Sequence, residues 1–205
     1  MNSVEKLLMN NPVRSWLIEH YALPKLNALA KLSKRDAGKS ILEIGCGSGY
    51  GLIALLKQFR PALLHALDSD PKMIQMSRRR LMKFANKYPT AQTRTYVGDA
   101  AAIDSIDCQY DYVFGFGVLH HIPDWQKSVR EIFRVLKPGG RVFLEESFAK
   151  FILHPIWRKI LDHPKENRFD ALGLSQCLAH SGFTNIHYQQ SKNQYMGWLV
   201  ADKII

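Results

Sequence analysis

The run Ile41-Leu42-Glu43-Ile44-Gly45-Cys46-Gly47-Ser48-Gly49-Tyr50-Gly51 constrains this chain more than any other stretch. Ile41–Ile44 reads as a short buried strand that stops at Gly45, and Leu52–Phe59 reads as a helix ended before Pro61. The glycines between them permit positive φ and let backbone approach a ligand with no Cβ in the way. A dinucleotide site uses a related turn, G-x-G-x-x-G. Here that count reaches Tyr50 from Gly45 and Leu52 from Gly47. The spacing is G-x-G-x-G instead, which disfavours a nicotinamide cofactor. Glu43 points the same way, because a carboxylate beside the loop repels a pyrophosphate and suits a cation.

From Ser40 onward strands and helices alternate. Leu63–Leu67, Thr93–Val97, Tyr110–Phe114 and Arg141–Leu144 read as strands two to five. Asp70 with Pro71 opens a helix, since proline lacks an N–H that would go unpaired there. Asp124 opens another through Leu136, closed by a Lys-Pro-Gly-Gly turn, and Asp170–His180 is a helix stopped by Gly182. Two strands near Phe183–Tyr188 and Tyr195–Ala201 end the chain. Before Ser40, Val4, Leu7, Leu8, Val13, Trp16, Leu17 and Tyr21 fall at helical spacing, with Pro12 and Pro24 as breaks. The expected architecture is a three-layer α/β/α, Rossmann-like sheet of seven mostly parallel strands. It has an antiparallel C-terminal edge strand and an N-terminal helical cap. With 205 residues and no internal repeat, one domain is expected. Its parts are a cap over 1–38, a core over 39–147, and a lid segment, helix and terminal strands over 148–205.

In such sheets ligands bind beyond the carboxyl ends of the strands. Strand two stops at Asp68, which suits both hydroxyls of a ribose, and strand three ends at Asp99, which suits an exocyclic amine. Each aspartate alone also reads as a cap or turn residue. Acids at the ends of three successive strands, Glu43 included, are a stronger signal.

These runs, with ALDSDPKMI, VGDA, YDYVFGFGVLHHIPD and VLKPGGR, resemble the class I S-adenosylmethionine (SAM)-dependent methyltransferases over about residues 40–147. The likeness is greatest to the branch acting on small molecules, quinones and lipids. The resemblance implies that SAM is the cofactor and S-adenosylhomocysteine the product. It implies that Gly45, Cys46, Gly47 and Gly49 line the methionine part. Asp68 and Ser69 would hold the ribose, Met73 would lie near the adenine, and Asp99 would meet its amine with Gly98 and Ala100 beside it. Gly115–Phe116 would offer backbone to the amino group.

Methyl transfer from a sulfonium needs positioning first, and a base only where the nucleophile must lose a proton. His120 and His121 follow strand four and are the candidate bases; one shaping the turn and the other facing solvent is the bland alternative. Glu145 and Glu146, expected on one side of the sheet end, include a candidate acceptor-binding carboxylate. No metal site is expected: adjacent histidines point apart, and the three cysteines have no ligand spacing.

Net charge is +10, which favours acidic partners or simply a solvated basic surface. Phe148, Phe151, Ile152, Ile156 and Ile160 recur at helical spacing beside Lys150, Arg158 and Lys159; Leu7, Leu8, Trp16 and Leu17 do so beside Lys6 and Arg14. Both stripes suit a lid over the pocket and peripheral contact with an anionic membrane, or plain packing on the domain. A small apolar or lipid-like acceptor is the expectation. An RNA methyltransferase and a non-catalytic SAM-binding protein are the open alternatives. The run Arg78, Arg79, Arg80, Lys83, Lys87 reads as a solvated helix face. The N-terminus lacks the pattern of a signal peptide, no apolar run is long enough to span a bilayer, and a cytoplasmic setting is expected.

Overall fold

A computed structural model describes residues 11–32, 37–84, 87–88, 91–157, 164 and 166–204. Helix α1 (Pro12–Leu17) starts at Asn11, whose side chain accepts from the Arg14 N–H. It runs through a π-helical stretch, Ile18–Ala22, into α2 (Leu23–Ala30). Pro24 therefore does not break the helix as expected. Its missing N–H falls where the ladder widens to π spacing, a usual way of accommodating such an irregularity. Val4, Lys6, Leu7 and Leu8, which the helical spacing assigns to the cap, lie outside the described residues.

The alternating core follows: β1 (Ser40–Ile44), α3 (Tyr50–Phe59), β2 (Leu63–Asp68), α4 (Pro71–Phe84), β3 (Gln92–Val97), β4 (Tyr110–Phe116), α5 (Trp125–Val135) and β5 (Leu136–Ser147). After it come α6 (Ala149–Ile152), α7 (Ala171–His180), β6 (Thr184–Gln190) and β7 (Met196–Asp202). The sheet order is β3-β2-β1-β4-β5-β7-β6. Strands β1 to β5 run parallel, and β7 is antiparallel to both β5 and β6. The antiparallel last strand thus sits one place in from the edge, which β6 forms. The chain steps outward from β1 to β3 and returns to β4 on the other side of β1, so the crevice opens between β1 and β4.

Two apolar layers clasp the sheet. On one face Trp125, Val129 and Ile132 of α5 pack with Leu174 and Leu178 of α7. On the other, Ile18, Leu23 and Leu26 pack with Leu52, Leu55 and Phe59 of α3 against Phe114, Phe143 and Trp198. Helix α3 is apolar on nearly every side because the cap covers its outer face. The Lys-Pro-Gly-Gly turn is built into β5 rather than preceding it. Gly139, at φ 78°, donates to Lys203 O while Tyr110 pairs with Leu136 and Tyr112 with Arg141, a bulge of the kind that re-aims a strand.

The expected amphipathic stripe after β5 is largely spent on the domain itself. Phe148 and Ile152 are buried in the core, and the Phe151 ring packs at a tilt against the rings of Trp157 and Tyr195. Leu153 and Ile156 stay exposed, as do Val13, Trp16 and Leu17 on α1. Arg158, Lys159 and Ile160 lie outside the described residues. Arg14, expected on a membrane-facing side, turns inward instead. The basic face of α4 is also partly committed. Arg78 donates to Thr95 O at 2.8 Å, and Arg80 lies over the Tyr50 ring while donating to Ser48 O at 2.8 Å. No helix among the described residues is long and apolar enough to cross a membrane.

Candidate active site

The β1–α3 turn is shaped by its glycines and by Asp68. Gly45, Gly47 and Gly49 have φ of 63°, 50° and 86°, which only glycine adopts without strain. Cys46 donates its N–H to Leu67 O at 3.0 Å, and Gly47 donates to Asp68 Oδ2 at 2.8 Å. The other oxygen of Asp68 accepts from the Asp70 N–H at 2.9 Å. One carboxylate thus locks two strand ends, and a carboxylate can accept further donors besides these. Asp99 Oδ1 accepts from the Ala101 N–H at 2.8 Å, holding the turn after β3.

These ends enclose a cavity of about 610 Å³. Glu43, Gly45, Cys46, Gly47, Asp68, Ser69, Met73, Gly98, Asp99, Ala100 and Phe116 all line it, as does His121. Gly49, Gly115 and His120 are not on its wall. Gly49 is the residue before α3 and sits against Ser77, where a Cβ would come within 3.0 Å of backbone. Gly115 lies inside the sheet, packed among Val118, Leu144 and Ile44, so the cavity is faced by Phe116 at the end of β4 and by Gly117 and Val118 just after it. His120 is 5% exposed and faces away.

Glu43 is the most unusual group in the cavity. It is 2% exposed and its Oε2 has no hydrogen-bond partner. Burial pushes its carboxyl well above the ordinary range, Arg14 pulls it down, and Asp68 pushes it up again. It fits only because residue 51 is glycine: a Cβ there would lie 2.0 Å from Glu43 Oε1. Burial also raises the Cys46 thiol well above its usual value, with Glu43 and Asp68 adding to the effect, so it is no thiolate nucleophile.

The two histidines have different surroundings. His120 Nδ1 lies 2.6 Å from Glu146 Oε2, both side chains buried. Glu146 also accepts from the N–H groups of Val118 and Leu119, at 3.1 and 2.9 Å. Arg168 donates to His120 O and Ile122 O from the far side. The loop 117–122 is therefore clamped from both directions, and His121 is the histidine it presents to the cavity. The rings do not point apart: their centroids are 4.3 Å from each other.

Glu145 and Glu146 do not share a side of the sheet end, because neighbours along a strand alternate between faces. Glu145 turns to the cap, where Arg14 Nη2 donates to its Oε2 at 2.7 Å and to Phe116 O at 3.1 Å. Neither glutamate lines the cavity. Arg14 does, with Ile18 and Pro164, and it is the one Lys or Arg among the described lining residues. Nothing in its local pattern marks it as a site residue, since its partner is 131 positions away.

The family described as "Methyltransferase domain" matches residues 15–188. A "Probable S-adenosylmethionine-dependent methyltransferase" of Mycolicibacterium smegmatis is 32% identical over 75% of this chain and 55% of its own length. A demethylmenaquinone methyltransferase of Lactobacillus johnsonii is 30% identical over 76% of this chain and 72% of its own. The chain spans about half the length of the first curated relatives it matches. Among solved structures, a SAM-dependent methyltransferase from Aquifex aeolicus shares the fold, with a TM-score of 0.73 at 16% identity, covering 99% of both chains. With the family match spanning most of its length, this chain belongs to the methyltransferase-domain family.

Proposed function

We propose that this chain binds SAM in the cavity at the β1–β4 ends and transfers its methyl group to a small apolar or lipid-like acceptor. The observation that carries the reading is the partnerless, buried Oε2 of Glu43 in a cavity that Asp68 and Asp99 also line. A buried acceptor without a donor is costly unless a ligand satisfies it, and an ammonium does so with charge assistance. Gly47 adds a cradle, because no atom lies within 4 Å of where its Cβ would sit.

When bound, SAM supplies an electrophilic methyl on a cationic sulfonium. In this reading Glu43 accepts from the cofactor's ammonium and the turn Gly45–Gly47 lies along its methionine part, with Phe116 offering its carbonyl. Gly49 shapes that turn from behind. Asp68 and Ser69 hold the ribose, Met73 packs on the adenine, and Asp99, flanked by Gly98 and Ala100, accepts from the adenine amine. The division into a cap over 1–38, a core over 39–147 and a covering segment over 148–205 belongs to the same reading. In-line transfer then needs mainly orientation and exclusion of water, which the cap supplies.

For an acceptor that must lose a proton, we place the base at His121 and a positioning role at His120. His121→Ala is expected to lower turnover by roughly 10²- to 10⁴-fold while leaving SAM affinity unchanged. Full turnover in that variant means that positioning alone drives the reaction. The apolar acceptor is supported by the quinone in the name of the L. johnsonii relative and by exposed Trp16, Leu153 and Ile156 beside a net charge of +10. These features also support approach to an anionic membrane surface. The test is transfer of labelled methyl from SAM to a fractionated cell extract, with the lipid fraction offered as anionic and as neutral vesicles. Label in the lipid fraction, faster on anionic vesicles and slowed by salt, is the expected result. Label confined to RNA or polar metabolites overturns the acceptor assignment.

A further inference from the structure

We propose that Arg168 is a positioning residue for methyl transfer: it fixes the backbone on both sides of His121 and so aims that ring at the acceptor. The inference rests on the SAM reading above, which sets the acceptor against His121. It adds to the machinery a residue that lies outside the cavity wall.

Loop 117–122 contains a single 3-10 turn, Leu119–His121. The last carbonyls of a helical turn have no partner within it and must find one elsewhere. The early N–H groups of this loop are taken by Glu146, at 3.1 Å from Val118 and 2.9 Å from Leu119. Its late carbonyls are taken by the segment 166–169. Arg168 Nη1 donates to His120 O, and Nη2 donates to Ile122 O at 3.4 Å. Asn167 Nδ2 donates to Pro123 O at 2.8 Å. His121 is thus the residue between the two carbonyls that Arg168 holds, and the loop offers it to the cavity beside Ile122.

A clamp must itself be anchored, and this segment is. Asn167 adopts φ 52°, a left-handed backbone that asparagine tolerates better than most residues. Its amide pairs with that of Gln126 through two bonds of 2.8 Å, and its carbonyl accepts from Trp125 Nε1 at 2.9 Å. Phe169 packs on the Trp125 ring with centroids 4.6 Å apart, and its carbonyl accepts from the Ala149 N–H at 2.9 Å. Arg168 Nε donates to Glu166 O at 2.6 Å, so among the described residues all three guanidinium nitrogens meet carbonyls. A guanidinium used in this way acts through the rigid fork of its donors rather than through its charge, and lysine has no such fork. Pro164, shortly before Arg168 in the chain, is on the cavity wall. The stretch that borders the site thus also sets the aim of the candidate base.

The test compares wild type with Arg168→Gln and Arg168→Lys by three readouts. The first is calorimetric affinity for S-adenosylhomocysteine. The second is the His121 ring signal in the NMR spectrum of histidine-labelled protein, identified by its loss in His121→Gln. The third is the rate of labelled-methyl transfer from saturating SAM to whichever extract fraction wild type labels. Arg168 is half-buried, so both variants should fold. Where one lacks a cooperative melt, Asn167→Gly, which keeps the left-handed backbone, takes its place. In both arginine variants the expected result is near wild-type affinity for S-adenosylhomocysteine, a displaced His121 signal, and transfer slowed about ten- to hundredfold. A wild-type rate with an unmoved His121 signal overturns the proposal. Full rescue by Arg168→Lys also overturns it, because charge would then be the cause. So does a loss of ligand affinity equal to the loss of rate, because Arg168 would then only support the fold. Wild type that does not bind S-adenosylhomocysteine overturns the SAM reading, and the His121 signal then decides by itself whether Arg168 places that ring.

Discussion

Glu146→Ala is expected to cost about 3–5 kcal/mol of stability, because it leaves several buried groups without their hydrogen-bond partner at about 1–3 kcal/mol each. Glu146 is fully buried, and its oxygens serve Val118 N–H, Leu119 N–H and the His120 ring. Alanine removes the acceptor of both N–H groups and the partner of His120 Nδ1, in a place water does not reach. The loop they belong to carries Val118, His121 and Ile122 to the cavity wall, so SAM affinity should fall with stability. Glu146→Gln keeps one carbonyl acceptor and should cost less. The two variants also separate by pH. Burial pushes the Glu146 carboxyl up to about 7 from 4.5, against the backbone N–H groups that lower it. The folded protein therefore holds a proton between those values that the unfolded chain has released. This contribution is present in full below pH 4.5 and is lost as pH rises through about 7, with a slope of up to about 1.4 kcal/mol per pH unit. Urea unfolding of wild type against Glu146→Gln over that range checks it: the gap should shift against wild type as pH rises. A gap that is constant with pH contradicts the burial argument.

Gly51→Ala should do harm where helix propensity predicts benefit. Glycine to alanine within a helix is ordinarily worth about 1 kcal/mol in favour of alanine. At residue 51 the added Cβ would lie 2.0 Å from Glu43 Oε1 and 2.9 Å from Phe116 Cδ2. Glu43 has no room to retreat except into the cavity, because the rest of its surroundings are core. Overpacking of this kind costs about 1–3 kcal/mol, which cancels or exceeds the propensity gain. The displaced carboxylate should also weaken S-adenosylhomocysteine binding by at least about tenfold. A melt and a titration of the same variant check both parts. A variant that is more stable by about 1 kcal/mol with unchanged affinity would show that Glu43 is not fixed where the geometry puts it.

What the sequence reveals and what it hides have a common physical cause. The glycine turn, Asp68 and Asp99 are legible because the demands on them are local: positive φ at Gly45 and Gly47, and an acid at each strand end. The alternation that predicts the sheet is legible for the same reason, since period and breakers act over a few residues. The placement of Arg14 is hidden because it depends on tertiary packing. Its neighbours Val13, Trp16 and Leu17 suggest an outward apolar stripe, and only the packing of α1 over the end of β5 brings it to Glu145. His120 and His121 are chemically equal as letters, and Glu146 separates them by taking one into the core. Pro24 reads as a break because a π-helical stretch has no sequence signature of its own. The long β5 reads short because the glycines of a bulge and of a free turn look alike.

The most direct measurement is a calorimetric titration of S-adenosylhomocysteine into wild type and into Asp68→Ala, with the fold of each verified by melting. The account predicts saturable one-site binding to wild type. It predicts a ten- to hundredfold loss in the variant, as expected for removing charge-assisted bonds worth about 1.5–3 kcal/mol. A folded Asp68→Ala protein with wild-type affinity, or a wild type that does not bind, would contradict the placement of the cofactor in this cavity.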